Sequence, residues 1–146
     1  MDKLLIKLVD SPEDFEGALA VRLRVFVQEQ DVPLEEEVDH LDNAAIHAIA
    51  KMGDSVIATG RLILEEMPLV YIGRMSVDVD YRRHGVGSKL LEFLEDEAKK
   101  CGAATIALHA QEYVKTFYSA HDYEEKGGVF LEANIPHILM HKDISD

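Results

Sequence analysis

Basic residues are scarce in this chain: fifteen lysines and arginines stand against twenty-eight aspartates and glutamates, a formal charge of −13. Nucleic-acid binding needs clustered cations along a phosphate backbone, so the deficit excludes that class and disfavours an anionic membrane surface. A cationic partner is compatible with it, and so is plain solubility. Cysteine is scarcer still. Cys101 alone excludes an internal disulfide and suits a reducing compartment. At a predicted helix C-terminus, whose negative end disfavours a thiolate, it reads as a quiet buried thiol. No apolar run approaches membrane-spanning length, and Lys7 interrupts Leu4-Leu5-Ile6 before a signal-peptide core can form. A cytoplasmic protein is expected. Linkers, repeats and low-complexity tracts are missing, so residues 1–146 read as one domain, long enough for a real core. Seven histidines supply no helical ligand pair, and no metal is expected.

What is present is an orderly succession of element signals. Residues 3–9 read as a strand and meet Ser11-Pro12-Glu13-Asp14, an N-cap followed by a first-turn proline and carboxylates at a positive helix end. Phe15, Ala18, Leu19, Arg22, Val25 and Phe26 then share one helical side, to about Gln30. An acidic loop over 31–43 follows. Strands are predicted at 46–52 and 55–65, joined at Gly53-Asp54, and at 69–79 after Met67-Pro68. A second helix starts near Val86, carries Leu90, Leu91, Leu94 and Ala98 on its buried stripe, and ends at Cys101-Gly102. Residues 105–110 read as a buried strand, 112–120 as a short helix, and 128–132 and 138–142 as closing strands. The order β-α-β-β-β-α-β-α-β-β gives an α/β (α+β) fold. Its central sheet is mixed, with helices on both faces and a right-handed parallel crossover over 69–110.

The most informative stretch is Val77-Asp78-Val79-Asp80-Tyr81-Arg82-Arg83-His84-Gly85-Val86-Gly87-Ser88. A strand ends, two closely spaced glycines turn the chain, and a helix begins at once. Free amides at the helix start make an anion site, and Arg82 and Arg83 add planar donors matched to phosphate. A P-loop needs Gly-Lys-Ser/Thr, but Gly87-Ser88-Lys89 has the wrong order. A dinucleotide fingerprint needs a third glycine where Leu90 stands. Two glycines alone would mean no more than a tight turn; Arg82, three residues before Gly85, tells against that.

These residues resemble a signature of the GCN5-related N-acetyltransferase (GNAT) superfamily, Arg/Gln-x-x-Gly-x-Gly/Ala after the fourth strand, here Arg82, Gly85 and Gly87. A second signature is matched by Phe117-Tyr118 and then Asp122-Tyr123, where the usual glycine is replaced by a residue that tolerates left-handed backbone. Gln111 stands where the superfamily often has an asparagine contacting pantetheine. The flanks resemble an ElaA/YjcF-like bacterial subgroup: Val21-Arg22-x-x-Val25-Phe26-Val27-x-Glu29-Gln30-x-Val32-Pro33, Glu36-Glu37-x-Asp39, His109-Ala110-Gln111 and Phe130-x-Glu132-x-x-Ile135-Pro136-His137.

The resemblance implies the GNAT fold, a mostly antiparallel twisted sheet of about seven strands with acyl-CoA in a wedge between strands 4 and 5, held as an edge strand is held. Met75, Ser76 and Val77 would pair with the pantetheine arm beside Gln111. Arg82, Arg83, His84, Gly85, Val86, Gly87 and Ser88 would meet the pyrophosphate. The implied reaction moves an acetyl group from acetyl-CoA directly to a primary amine. Tyr118 occupies the family's position for the acid that protonates the leaving sulfur. His137 and Glu37 are candidates for the base, and Glu29, Glu36, Asp39 and Arg74 for binding the acceptor, with a cationic amine suited to the acidic cluster. Bland readings stand beside these: Tyr118 as a packed anchor, Arg74 as a structural ion pair, the acidic residues as a solvated loop, and His109 and His47 as hydrogen-bonded core histidines. A non-catalytic CoA-binding or sensing module is the alternative function, and a homodimer is open by analogy alone.

Overall fold

The structure is a computed structural model describing residues 3–145; Met1 and Asp2, which belong to the leader reading, and Asp146 lie outside the described residues. Helix α1 (Pro12–Arg22) starts as its sequence demands, with Ser11 Oγ accepting from the Asp14 amide at 3.1 Å and Glu13 and Asp14 in the first turn. Lys7 of β1 (Leu4–Leu8) donates to Asp14 at 2.7 Å and ties the helix start to the sheet. The helical run reaches Glu29, as expected, but Leu23–Glu29 winds as a wider π-helix. Such turns are associated with functional sites, and here Arg24, Glu29 and Gln30 reach across to distant elements instead of the core.

The acidic segment corrects the expected loop. It contains a one-turn helix α2 (Leu34–Glu37) and a 3₁₀ turn at His40–Asn43, where Asp39 caps the Leu41 amide at 3.2 Å. Buried arginines hold it, as described below, which a loop read from charge alone does not disclose.

Strands β2 (Ile46–Met52), β3 (Ser55–Glu66), β4 (Leu69–Val77), β5 (Thr105–Gln111), β6 (Glu124–Glu132) and β7 (Ile135–Asp143) join β1 in one seven-stranded sheet, ordered β1-β2-β3-β4-β5-β7-β6. Only β4 and β5 run parallel, so the sheet is mixed and mostly antiparallel. The last two strands are longer than expected. Gly127 takes φ +82° and the register slips between Lys126 and Phe130, so β6 passes through a bulge and starts at Glu124, ahead of the expected 128–132.

Helix α3 (Val86–Lys100) crosses from β4 to β5, and α4 (Lys115–Ser119) follows β5. Cys101, at the α3 C-cap, is exposed and not the buried thiol expected, because the helix ends at the surface there. Leu90, Leu91, Leu94 and Ala98 of α3 are buried against Val70 and Ile72 of β4, Ile106, Leu108 and Ala110 of β5, and Met140 of β7. Because strand side chains alternate, His109 and Gln111 of β5 lie on the opposite face, the one toward α1 and α2. Among the described residues no helix is long and apolar enough to cross a membrane.

Candidate active site

Strands β4 and β5 pair only at Leu69↔Thr105, Val70↔Ile106 and Tyr71↔Ala107. Beyond that point β4 pairs with β3 as far as Val77, and β5 with β7 as far as Gln111. The two strands therefore part. The side of β4 turned toward β5 over 72–77 has no strand partner and can accept an extended ligand through main-chain hydrogen bonds. Here β4 is bulged: Thr59↔Ser76 is followed by Arg61↔Gly73, one more residue on β4 than on β3, with Arg74 at φ +55°. A bulge re-aims peptide groups, in this case those of Arg74 and Met75. Gly60 makes room for it, since a Cβ there would lie 2.7 Å from Met75 Sδ and 2.8 Å from Leu94 Cδ1.

After β4 a 3₁₀ turn at Val79–Tyr81 leads into the glycine loop, shaped by positive φ at Arg83 (66°) and Gly85 (80°). Gly85 is the N-cap of α3 and offers no side-chain cap, so the first amides of the helix stay open to an anion. The nearest atoms to a Cβ at Gly87 would be the Phe117 ring, at 3.5 Å, and Val77 Cγ2, at 3.9 Å, ordinary contact distances. Arg83 and His84 are exposed. Arg82 behaves differently from the expectation of a free phosphate ligand: its Nε donates to the Val77 carbonyl at 2.8 Å and its fork grips Glu29 at 2.6 and 3.0 Å. Ser88 Oγ lies 3.0 Å from His121 Nε2. Gln111, on the far side of the wedge, donates to Gln30 at 2.8 Å. Glu29 and Gln30, at the end of the π-helix, thus reach both banks of the wedge.

Tyr118 is buried in α4, its ring 5.0 Å from Phe117 and 5.9 Å from Tyr123. Burial alone pushes its phenol up to about 12, so the hydroxyl keeps its proton across the neutral range. Asp122 does take the left-handed backbone, at φ +72°, and the Tyr123 amide returns to the Tyr118 carbonyl at 3.1 Å.

The acidic residues are brought together, but onto arginines. Arg22 donates to Glu37 Oε2 at 3.1 Å and to both oxygens of Asp42 at 2.8 and 3.0 Å. Arg61 bridges Asp39 and Asp42, and Arg74 reaches Glu37 at 3.0 Å and Asp39 at 3.2 Å. Glu37 is buried between two guanidinium groups, and burial raises its carboxyl above the ordinary range against their pull. Glu36 is exposed and meets Arg74 only through its main-chain carbonyl. Arg22 and Arg61 were not singled out as site residues from sequence; a buried arginine in an apolar helix stripe was the available signal for the first.

The hydrogen bond from Arg61 holds the Asp39 carboxyl down to about 2. A depressed carboxyl stabilises the fold fully above its ordinary value near ~3.9, and that contribution is lost as pH falls through the folded value. The urea midpoint is therefore expected to fall between pH 4 and pH 2, and to fall less steeply in Asp39→Asn. An unchanged slope would remove Asp39 from the account.

His47 is buried with Nε2 2.9 Å from the Asp42 carbonyl, as a core histidine should be. His109 is not: its side chain is 41% exposed and its Nδ1 lies 2.9 Å from Glu132 Oε1. His137 is buried, Nδ1 2.6 Å from the Ile135 carbonyl and Nε2 3.6 Å from Glu132 Oε2. No role for Glu132 was legible beforehand. Part of the signal was in the hairpin register, since the tight turn at Ala133 and Asn134 places Phe130 opposite His137; the separate pairing of β5 with β7 sets His109 opposite Leu139. His137 and His141 both lie on β7, about 13 Å apart at strand rise. No group of residues that could hold a metal occurs among the described residues.

Residues 11–144 match the family model for the acetyltransferase (GNAT) domain. YjcF of Bacillus subtilis, described as an uncharacterised N-acetyltransferase, is 36% identical over 139 residues, covering 93% of this chain and 97% of that one. The crystal structure of an acyl-CoA N-acyltransferase from Pseudomonas aeruginosa superposes with a TM-score of 0.84 at 27% identity, covering 97% of this chain and 99% of the other. Escherichia coli ElaA shares the fold, with a TM-score of 0.85 at 23% identity over 98% of this chain and 100% of its own.

Proposed function

This chain belongs to the GNAT acetyltransferase family, and on that premise we propose that it moves an acetyl group from acetyl-CoA directly to a primary amine of a small molecule or peptide. The observation that carries the reading is the parting of β4 from β5 beside an α3 N-terminus that no side chain caps. The acyl-CoA in the name of the Pseudomonas aeruginosa neighbour agrees with it.

The residues present fit such a co-substrate. Nothing lies within 4 Å of where a Cβ on Gly85 would be, and the open amides of Val86, Gly87 and Ser88 supply the cradle. Arg83 and His84, both exposed, would add donors to the pyrophosphate. Arg82, gripping Glu29 and the Val77 carbonyl, would set the loop's shape. The main chain of Met75, Ser76 and Val77 would hold the pantetheine arm, with Gln111 opposite. Acetyl-CoA brings an acyl group already activated as a thioester. The Met75 amide, re-aimed by the bulge, would polarise its carbonyl, and Tyr118 would give its proton to the departing sulfur. Tyr118 suits that task because burial holds its phenol at about 12, protonated at working pH.

Acetyl-CoA is expected to raise the melting temperature, because a ligand at a hundredfold excess over Kd stabilises by about 2.7 kcal/mol. Release of CoA thiol is then read with spermidine, glucosamine and a lysine-containing tetrapeptide. No thermal shift with acetyl-CoA refutes the co-substrate. A shift with no acetylation of any of these amines favours the sensing module.

A further inference from the structure

We infer that His109, oriented by Glu132, is the group that takes the proton from the acceptor amine; this rests on the transferase reading above. His109 lies on β5 two residues past Ala107, the last residue paired with β4, so it stands where the strands part. It is on the face opposite α3. Edge contacts from Phe130 at 5.1 Å and Tyr71 at 5.9 Å hold its ring.

Hydrogen-bond chemistry fixes its tautomer. His109 beside it holds the Glu132 carboxyl below its ordinary range, so Glu132 is an anion that only accepts. Nδ1, 2.9 Å away, must therefore donate, and in the neutral ring Nε2 carries the lone pair. That nitrogen has no hydrogen-bond partner among the described residues, and the side chain is 41% exposed.

The other candidates on this face are engaged. His137 Nδ1 faces the Ile135 carbonyl, which can only accept, and its Nε2 faces Glu132 Oε2, with 7% of the side chain exposed. Its Nδ1 is held by that carbonyl, and its Nε2, beyond hydrogen-bond distance of Glu132, is shut away from solvent and so from an incoming amine. Glu37 has 2% of its side chain exposed and holds Arg22 and Arg74. The charged and titratable groups around His109 are Glu132 from β6, His137 from β7, and Tyr71 and Arg74 from β4. His109 acts on the amine directly, whereas Glu132 is a positioning residue, braced by His137 behind it.

The step balances. The acceptor ammonium gives one proton to His109 Nε2. The freed lone pair forms the C–N bond to the acetyl carbon as the C–S bond breaks. The sulfur takes the Tyr118 proton, and the second proton shed by the nitrogen returns to the Tyr118 oxygen.

Two measurements on the full chain test this. Long-range proton–nitrogen NMR reads the ring without any acceptor: neutral His109 is expected as the Nδ1–H tautomer, and Glu132→Gln is expected to lose that fixed preference. An Nε2–H tautomer in the wild type overturns the inference and leaves the transferase reading standing. The second measurement uses acetyl-CoA and whichever of the three probe amines the wild type acetylates. His109→Asn, whose amide can still donate to Glu132, is expected to lower kcat/KM by about 10²–10⁴-fold. It should abolish the acid-side fall of the pH profile, keep the acetyl-CoA thermal shift, and regain turnover with added imidazole. Unimpaired turnover, or an acid-side fall that persists in His109→Asn, overturns the inference alone. A wild type that acetylates none of the amines overturns both readings.

Discussion

Arg22→Met should destabilise the fold by about 3–5 kcal/mol, the cost of leaving buried charge without its partner. The arginine has 1% of its side chain exposed and makes four hydrogen bonds: one to Glu37 Oε2, two to Asp42, and one at 2.7 Å to the Glu37 carbonyl. Methionine fills the volume but takes one of two arginines from each carboxylate, leaving Asp42 with Arg61 and Glu37 with Arg74 in a buried acidic pair no longer bridged between them. Lysine would not restore the loss, because a point charge cannot serve four acceptors set around a planar fork. In thermal unfolding the drop corresponds to a melting temperature lower by on the order of 10 °C. Glu37→Gln combined with Arg22→Met should cost less than the sum of the two, by about 0.5–3 kcal/mol, since each removes the other's penalty. A loss below about 1 kcal/mol for Arg22→Met would mean that water already serves those carboxylates.

The second large effect concerns chemistry. Tyr118→Phe is expected to lower turnover by about 10²–10⁴-fold, the contribution of a placed general acid, while changing stability at neutral pH little. The separation is predictable because burial is the sole cause of the raised phenol, with no hydrogen bond behind it. The ring contacts with Phe117 and Tyr123 survive the substitution. The same burial has an alkaline signature. A tyrosine at about 12 in the fold and near ~10 unfolded contributes stability that is complete below pH 10 and is lost as pH rises through 12. The wild type should lose stability across that window, and Tyr118→Phe should lose less of it. Unchanged turnover with the alkaline difference present would leave Tyr118 buried but not the acid.

These two residues show how unevenly the sequence discloses a site. The place of Tyr118 in a short helix after β5 was legible because a local signature surrounds it. Arg22 was legible only as a member of a helix stripe. Its partners Glu37 and Asp42 lie 15 and 20 residues on, in a segment whose charge reads as solvated until the tertiary fold buries it. The same distance effect separates Arg82 from Glu29, 53 residues apart, and Gln111 from Gln30, 81 apart.

By itself the sequence determined the order of the seven strands with α1, α3 and α4, the capped start of α1, the glycine loop opening α3, and the buried stripe of Leu90, Leu91, Leu94 and Ala98. Each is set by neighbours within one turn or one strand period. The tertiary structure alone decided three other matters. It made Leu23–Glu29 a π-helix whose end reaches both banks of the wedge. It turned the acidic segment into partners for Arg22, Arg61 and Arg74. It set Glu132 between His109 and His137, because β5, β6 and β7 must pair before the three can meet. Register across strands, not sequence spacing, fixes such contacts, since a shift of one residue would send each side chain to the other face of the sheet.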